Sequence, residues 1–406
     1  MRWLGVDKIS QVITSSSDIL MPGACGYFMS YDLPRRFSSN GKPLITKLQE
    51  LNIKTVILDE CQQIKNPESQ RTRYIRDICK TFPHVLALSG TPIKNNAPEY
   101  FSILNILEPS MFPRYSSFTY QWCDTYLDRI SGKWKVGGLQ SPELFQKRTK
   151  HFIIRRERKQ VKEQMGLKVD QVTRRFIFND LSKELEKQYE LALQEFLEEY
   201  EGNPSKSFMD QGNLMAKISK LRYLTGLSKV DDAIDFAKEF LESTDRKLSI
   251  FVHHHDVGDI INLQLRGIMS EMGLDEPVFM PKDAEREFAL DPKKRVAIMS
   301  TLAHGEGTTI PTCSDFLVVE RQWNPANEEQ AEARFIHVDQ EADVIEGTYL
   351  IAVGTADEMF SEIVERKREL VTNTMGGQAI KWDQSSLITE LAETLLKTKR
   401  ERWSYR

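Results

Sequence analysis

Short apolar runs that alternate with amphipathic stretches are the feature that most restricts the fold of this chain. Near the amino terminus, the runs TVIL at 55–58 and VLAL at 85–88 are separated by a helical pattern at 69–80. The alternation returns later, with the runs LSIFV at 248–252 and RVAIM at 295–299. Strands that alternate with helices form parallel sheets covered by helices. The sequence therefore predicts an α/β protein with two such lobes.

The segment between the two lobes has a different pattern. From about Ser141 to Thr225 the chain is rich in Glu, Lys, Leu and Gln, and apolar residues recur every three or four positions. We expect this segment to be helical almost throughout. The predicted organisation is a first lobe at 1–150, a helical protrusion and linker at 151–225, a second lobe at 226–372, and a tail at 373–406 whose amphipathic helix packs on the second lobe.

Composition excludes several classes of protein. The 406 residues are 40% apolar and 28% charged, as in ordinary globular proteins, and the formal net charge is −4. The sequence has neither a signal-peptide pattern nor an apolar run of about eighteen residues. Its five cysteines form no C-x-x-C pair, so neither a disulfide framework nor a zinc site is predicted. We expect an intracellular protein, either cytoplasmic in a prokaryote or virus-infected cell, or nuclear.

Two adjacent carboxylates, Asp59 and Glu60, directly follow the TVIL run. Ligands of α/β sheets bind beyond the carboxyl ends of the strands, where these acids are predicted to lie. There, one carboxylate can hold Mg²⁺, directly or through water, while the other orients an attacking water. The residues allow an alternative, in which both acids only cap the following helix. The next apolar run ends in Ser89, Gly90 and Thr91, which predicts a second polar turn at the same sheet edge.

These stretches resemble the motifs of the superfamily-two helicase ATPase core, in its Swi/Snf-type DNA translocase branch. The resemblance begins with DECQQIKNPESQ and LSGTPIKNNAPEYFSILNILEPSMFP and continues through HFIIRRERKQV and LRYLTGLSKVDDAIDFAKEFLES. It extends over KLSIFVHHHD, RVAIMSTLAHGEGTTI, VVERQWNPANEEQAEARFIHVDQ and GTADEMFSEIVERKREL. The motifs follow the family order over about residues 1–372. SIFVHHHD and the WNP-to-Q stretch are most similar to the fork-remodelling, annealing-helicase-like branch.

The resemblance implies two RecA-like parallel-sheet lobes, with a helical insertion between them, that bind ATP and Mg²⁺. Asp59 would bind Mg²⁺, Glu60 would polarise the hydrolytic water, and Arg334 would stabilise charge on the phosphates. The loops that carry DECQ and SGTP would face the QAEAR helix across one cleft. The residues that would line this nucleotide site or couple it to lobe movement are Gln62, Ser89, Gly90, Thr91, Gly307 and Gln330.

The resemblance also implies duplex or forked DNA as the partner. The segment Lys147–Arg175 is strongly basic, although the whole chain is slightly acidic. Such a charge run is usually a solvated helical face. Because the family tracks the DNA backbone along this region, we expect phosphate contacts here. The implied DNA contacts are Arg155, Arg156, Lys159 and Thr301.

Two departures from the family pattern bear on activity. The phosphate-binding loop G-x-x-x-x-G-K-[ST] is absent, since the Gly-Lys pairs at 41–42 and 132–133 lack its upstream glycine. We therefore expect a partial motor, from a truncated or split gene, whose loop either comes from a separate polypeptide or is missing. His337 stands where the sixth motif of the family has its second arginine, which predicts slow hydrolysis because a mostly neutral imidazole stabilises transferring phosphate poorly.

Three hypotheses for function follow. The leading one is an ATP-dependent DNA translocase core, which is a nucleic-acid-dependent ATP hydrolase. The alternative is a catalytically silent DNA-binding or scaffold protein that keeps the two-lobe fold. The weakest is a metal-dependent nuclease built on Asp59 and Glu60. The histidines at 253–255 resemble a metal cluster, but successive side chains of a strand point to opposite faces, so we do not predict metal binding there.

Overall fold

The computed structural model describes residues 10–36, 44–51, 53–90, 97–127, 134–156, 158–202, 208–279, 285–301, 309–322, 325–374 and 391–396. The described residues up to Lys147 form one compact unit, and those from Arg148 onward form another. Two predicted site residues, Thr91 and Gly307, lie outside the described residues, and so does the side chain of Lys159.

The first unit contains two parallel strand pairs. β1 (Ser10–Val12) pairs with β2 (Gly26–Phe28), and β3 (Thr55–Leu58) pairs with β4 (His84–Ala87). A later antiparallel pair joins β5 (Cys123–Leu127) to β6 (Trp134–Leu139). The described helices that start in this unit are α1 (Leu44–Glu50), α2 (Gln70–Cys79), α3 (Tyr100–Leu107), α4 (Tyr115–Trp122) and α5 (Pro142–Thr149), with 3₁₀ turns at Cys61–Ile64 and Ala97–Glu99.

Helix α2 packs on one face of the β3–β4 pair. The helix begins after Ser69, whose hydroxyl accepts a hydrogen bond from the Thr72 amide at 3.2 Å and so satisfies one of the free amides of the first turn. Its apolar residues recur at helical spacing and face the strands. The shared core of strands, 3₁₀ turn and helices contains Leu58, Cys61, Ile64, Ile75, Ile78, Cys79 and Ile103. The β/α layering predicted for residues 55–88 is thereby confirmed.

The second unit is built around a six-stranded parallel sheet in the order β7-β12-β11-β8-β10-β9. Every residue of β8, β10 and β11 is buried, as expected for parallel strands covered on both faces. The strands are β7 (Thr173–Asn179), β8 (Leu248–Val252), β9 (Val278–Phe279), β10 (Val296–Ser300), β11 (Asp315–Val318) and β12 (Glu346–Ala352).

Helices cover both faces of this sheet, as the predicted α/β class requires. One face packs on α9 and α10 through residues such as Ala237, Ile261 and Leu265. The opposite face, with Phe251, Ala297 and Met299, packs on a separate apolar cluster. The described helices of the unit are α6 (Arg158–Met165), α7 (Lys183–Gly202), α8 (Phe208–Ser228), α9 (Val230–Ser243), α10 (His255–Glu271), α11 (Glu285–Leu290), α12 (Pro325–Glu332) and α13 (Ala356–Thr374).

The prediction that residues 141–225 are helical almost throughout is wrong at β7. This strand pairs with β12 over seven residues and forms an edge of the sheet. Its aromatic and β-branched residues favour a strand, and Phe176 packs on Tyr349 with ring centroids 5.5 Å apart. The helical periodicity of the flanking sequence hid this short strand, because seven residues are too few to establish a different period.

The described part of the tail packs on the second unit, as expected. Residues 391–396 form a helical turn in which Leu391, Ala392 and Leu395 are buried. They share a core with α7, α8 and α13. Among the helices that the structure describes, none is long and apolar enough to cross a membrane.

Gly347 in β12 is a position where any side chain would strain the sheet. A Cβ there would lie 2.3 Å from Cζ of Phe316. The Phe316 ring stacks on Phe335 with centroids 4.9 Å apart, so it cannot shift without displacing a second buried ring. We expect Gly347→Ala to lower the free energy of unfolding by about 1–3 kcal/mol, the usual effect of overpacking a core.

Urea unfolding followed by circular dichroism measures this effect. The matched control is Gly267→Ala, because a Cβ at Gly267 would meet no atom within 4 Å and alanine favours the α10 helix. Equal losses of stability in the two variants would contradict the prediction.

Candidate active site

The turn that carries the two carboxylates lies directly beyond the carboxyl end of β3. Asp59 is exposed, and its Oδ1 accepts a hydrogen bond from the Glu60 amide at 3.0 Å. Glu60 has φ 49° and ψ 49°, a left-handed conformation that costs a non-glycine residue roughly 1–3 kcal/mol. The turn is held by Cys61, whose amide donates to the Leu88 carbonyl at 3.0 Å, and by Tyr31, whose hydroxyl donates to the Asp59 carbonyl at 2.6 Å.

A chain of hydrogen bonds joins the ends of β3 and β4. The Ser89 hydroxyl donates to Oε1 of Gln62 at 2.6 Å, and the Gln62 amide Nε2 donates to Oε2 of Glu60. Gln62 is 2% exposed, so this amide is shielded from water. The structure therefore brings together three of the predicted site residues, Glu60, Gln62 and Ser89. The hydrogen bond from the Gln62 amide orients the Glu60 carboxylate.

The segment after the carboxylates is anchored to the helices of the first unit. Nζ of Lys65 lies 2.7 Å from Oε1 of Glu99, and the Ser102 hydroxyl donates to the Lys65 carbonyl at 2.9 Å. The Thr72 hydroxyl donates to the Ile64 carbonyl at 3.0 Å. Sequence analysis did not assign these anchors, because each joins residues that only the packing of α2 and α3 makes neighbours.

The neighbouring titratable groups stay uncharged near neutral pH. Burial raises the pKa of the Cys61 thiol to about 11, and the nearby charges of Glu60 and Asp59 contribute in the same direction. Burial also raises the pKa of Tyr31, again helped by Cys61 and Asp59. Tyr31 therefore remains a hydroxyl donor to the turn. The negative charge of the site comes from the two adjacent carboxylates, which attract a hard cation.

The chemistry of Asp59 and Glu60 fits Mg²⁺. This ion binds proteins through one or two carboxylate oxygens and keeps several of its waters, so it does not need a large cage of ligands. Within the described ranges, no group of three or more His, Cys, Asp or Glu residues could hold a metal ion. The described residues therefore contain no further carboxylate cluster that would support the nuclease hypothesis.

Three other predicted residues lie on or just after α12 in the second unit. Gln330 is half-buried, and Arg334 is 4% exposed, with its carbonyl accepting a hydrogen bond from the Ile310 amide at 2.9 Å. Nδ1 of His337 lies 3.1 Å from the Asp339 amide nitrogen and 3.5 Å from Oδ2 of Asp339, so the imidazole is bound within its own loop. The sequence predicts that the region of Gln330 and Arg334 faces Asp59 across one cleft, and this stays a prediction.

The predicted DNA contacts differ in exposure. Arg155 and Arg156 are exposed, together with Arg148 and Lys150. Thr301 is 3% exposed, and its amide donates to the Val252 carbonyl of β8 at 3.3 Å. A phosphate contact through Thr301 stays a prediction.

The carboxyl-terminal half of the basic segment is also less available than its charge implies. Nζ of Lys162 lies 2.9 Å from Oδ1 of Asp170, and Nζ of Lys168 donates to the Glu341 carbonyl at 2.6 Å. Arg174 is paired with Glu332. Phosphate contacts are therefore expected mainly from the exposed residues of 148–156.

A polar cluster that sequence analysis did not assign lies beyond β8 and β11. Oε2 of the buried Glu320 accepts hydrogen bonds from the amides of His253 and His254, both at 2.9 Å. Oε1 lies 2.5 Å from Nδ1 of His254, and Nε2 of His254 lies 3.3 Å from Oγ of Ser219. A Cβ at Gly226 would come within 2.7 Å of Glu320 Oε1, which explains the glycine. Sequence analysis did not identify Glu320, because nothing in the sequence distinguishes it from other polar residues at the ends of strands.

His253 makes the stability of the second unit depend on pH. Burial lowers the pKa of His253 from 6.5 to about 4, and the charges of Arg222 and His254 lower it further, against the opposing charge of Glu320. Between these values the unfolded chain binds more protons than the folded one, so this contribution to stability is complete above the higher value and is lost as pH falls. We expect His253→Asn to reduce the loss of unfolding free energy between about pH 7 and pH 5.

Urea unfolding at the two pH values measures this difference. Asparagine suits the test because its Oδ1 can replace Nδ1 of His253, which lies 3.3 Å from Nε2 of Gln322. The exposed neighbour His255, changed to Asn, is the matched control. If the unfolding free energy of His253→Asn fell between the two pH values by as much as that of the unsubstituted protein, the buried imidazole would not be the cause of the pH dependence.

Comparison with known proteins agrees with these motifs. Residues 26–226 match the family described as the SNF2-related domain. The chain is 27% identical to human "DNA annealing helicase and endonuclease ZRANB3" over 351 residues, covering 84% of this chain and 31% of that protein. It is also 27% identical to an "Uncharacterized ATP-dependent helicase" of Mycoplasma pneumoniae over 338 residues, covering 79% of this chain and 30% of that protein. The chain thus spans about a third of the length of these relatives.

One further relative and one solved structure are also named after SWI/SNF proteins. The chain is 27% identical over 330 residues to the Caenorhabditis elegans homolog of "SWI/SNF-related matrix-associated actin-dependent regulator of chromatin subfamily A-like protein 1", covering 80% of this chain and 46% of that protein. Among solved structures, the "Sulfolobus solfataricus SWI2/SNF2 ATPase core in complex with dsDNA" is 20% identical with a TM-score of 0.40, covering 89% of this chain and 75% of that chain. The family match and the sequence relatives confirm the resemblance predicted from the motifs: residues 26–226 match the SNF2-related domain, and most of the chain is similar to SNF2-type superfamily-two helicases.

Proposed function

We propose that this chain is the core of an ATP-dependent DNA translocase that acts on duplex or forked DNA, and that it is a partial or degenerate motor. The observation that best supports this function is the hydrogen-bonded chain from Ser89 through Gln62 to Glu60. It holds a carboxylate at the shared carboxyl edge of two parallel strands, within the segment that matches the SNF2-related domain. This edge is where α/β sheets bind their ligands.

The two carboxylates have separate roles in the proposed reaction. Asp59, which is exposed, would hold Mg²⁺, and the bound ion would neutralise charge on the phosphates of ATP. Glu60 would orient and polarise the attacking water. Its orientation is set by the Gln62 amide, so Glu60 does not need to reorganise when ATP binds.

The coupling of ATP to movement would use the end of β4. Ser89 bonds directly to Gln62, so a displacement of the Ser89 turn would change the hydrogen bond that orients Glu60. Gly90 and Thr91 would continue this coupling turn. In the second unit, Gln330, Gly307 and Arg334 would contribute to the nucleotide site, where the planar guanidinium of an arginine suits phosphate charge. His337 would take the place of a second arginine.

The proposed DNA track includes the exposed basic residues of 148–156, above all Arg155 and Arg156, with Lys159 beside them. Contacts with phosphates release counterions, so the DNA affinity of the chain should fall steeply as the salt concentration rises.

We also propose that the chain divides into four parts at about residues 150, 225 and 372. A separate polypeptide would supply the phosphate-binding loop. The location would be intracellular, either cytoplasmic or nuclear.

ATP hydrolysis in the presence and absence of duplex DNA tests the proposal. We expect Glu60→Gln to lower the DNA-stimulated rate by about 10²–10⁴-fold, because glutamine cannot act as a general base but keeps the shape of the side chain. The matched control is Glu68→Gln, an exposed acid of the same loop, which should leave the rate unchanged. Absence of DNA-stimulated hydrolysis, both alone and with a supplied phosphate-loop segment, would contradict the motor.

One observation favours the alternative of a catalytically silent DNA-binding protein. Nδ1 of His337 is engaged by Asp339 of the same loop, and an imidazole offers at most two donors, whereas an arginine would offer a charged fork of five. Transition-state arginines typically contribute about 10³-fold or more to the rate of phosphoryl transfer.

His337→Arg distinguishes the two functions. If the chain is a motor with a weakened site, this substitution should raise DNA-stimulated ATP hydrolysis by at least about tenfold, because it restores a positive charge beside the phosphates. Asp339 stands where the sixth motif of the family has a glycine, so Asp339→Gly serves as the control for changes in the loop backbone. A silent DNA-binding protein would show no turnover in either variant and a salt-dependent DNA affinity that ATP does not change.

A further inference from the structure

The helix that leads to Arg334 has two buried carboxylates in addition to its apolar contacts. Glu328 and Glu332 on α12 are 2% and 5% exposed. They are four residues apart and therefore lie on the same face of the helix. Burying two carboxylates is costly unless each has a partner of opposite charge. The orientation of α12 thus depends on the groups that bind Glu328 and Glu332.

Glu328 is bound by Arg321, which is fully buried. Nε and Nη2 of Arg321 donate to the two carboxylate oxygens at 3.1 and 2.7 Å, and the Gln322 amide donates to Oε1 at 2.9 Å. Arg321 also reaches α13, where it lies 2.7 Å from Oγ of Ser361 and 2.6 Å from Oε1 of Glu365. The first turn of α12 is therefore tied to α13.

Glu332 is bound by Arg174, which comes from the edge strand β7. Nε and Nη2 of Arg174 donate to Oε1 and Oε2 at 2.9 and 2.5 Å, and the hydroxyl of Tyr349 on β12 donates to Oε1 at 2.5 Å. Burial alone would lower the pKa of Arg174, but the hydrogen bonds and charge of Glu332, together with Tyr349, outweigh burial and raise it. Two parallel bonds from a planar guanidinium fix both the position and the rotation of the carboxylate.

The backbone transmits this restraint to Arg334 within one turn. The Arg334 amide donates to the Ala331 carbonyl at 3.2 Å, and the Phe335 amide donates to the Glu332 carbonyl at 3.2 Å. We infer that Arg174 is a positioning residue, which acts through Glu332 to set the place of Arg334. The value of this restraint for catalysis rests on the proposed function, but the restraint itself does not.

The neighbouring arginine of β7 provides a matched comparison. Arg175 points to the other face of the strand, is exposed, and has Nη1 3.8 Å from Oε1 of Glu346. Both arginines belong to the basic segment for which the sequence predicts DNA contacts. The structure shows Arg174 instead as half-buried and paired with the buried Glu332, while Arg175 stays at the surface.

Chemical modification of arginines tests the inference without any need for activity. The full chain is treated with phenylglyoxal, and the rate of modification at each arginine is followed by peptide mass spectrometry. We expect Arg174→Met to raise the rate at Arg334 by about tenfold or more, because a broken buried pair favours local opening of α12. Arg175→Met should leave this rate unchanged. Arg295, which is 8% exposed and bonded to the carbonyls of Arg246 and Thr244, is the internal reference.

Two results would overturn the inference. The first is an Arg334 that stays as protected in Arg174→Met as in the unsubstituted protein. The second is an equal rise at Arg295, which would show loosening of the whole unit. If Arg174→Met does not fold, Arg174→Lys keeps the positive charge but cannot form the two parallel bonds to Glu332, and a smaller rise confined to Arg334 is expected.

ATP hydrolysis adds a functional measurement. If the unsubstituted chain hydrolyses ATP, we expect Arg174→Met to lower kcat by about a hundredfold, with a much smaller change in KM, because a misplaced group mainly weakens transition-state contacts. An unsubstituted chain without turnover, both alone and with a supplied phosphate-loop segment, would contradict the proposed function and leave the modification experiment as the test of Arg174.

Discussion

The link that Gln62 makes between the ends of β3 and β4 is the interaction on which the candidate active site depends. The buried amide bonds to Glu60 through its nitrogen and to Ser89 through its oxygen. A buried polar group that loses its partner costs roughly 1–3 kcal/mol, so the link resists any slip of one strand against the other. The direction of the Glu60 carboxylate is therefore a consequence of strand pairing, although Glu60 itself lies outside both strands.

Buried charge has a similar role in the second unit. Nζ of Lys229 lies 2.8 Å from Oδ2 of Asp357, and Arg321 and Arg174 bind the two glutamates of α12. Such pairs contribute little net stability, because the loss of hydration offsets much of the attraction between the charges. They do specify position, since a helix that shifts leaves a bare charge in the interior. Helices α12 and α13 are thereby placed on the sheet by a few defined contacts.

The parts of the fold that were predictable are those with a simple local period. Strands β3, β8 and β10 are apolar runs, and α9 has its buried residues at helical spacing, so their positions follow from the sequence alone. Strand β7 could not be recognised, because it is short and flanked by helices. In the site, the closeness of Glu60 and Ser89 was expected from the rule for strand ends, but the buried position of Thr301 was not.

The sequence by itself determined the α/β class, the family, and the residue types at the carboxyl edge of β3 and β4, because these depend on local patterns and ordered motifs. Only the tertiary structure decided which charges face inward. Arg174 and Arg175 are adjacent and chemically identical, yet one is bound to Glu332 and the other is exposed. The pleat of a strand sends neighbouring side chains to opposite faces, and the packing of α12 against the sheet decides which of those faces is buried.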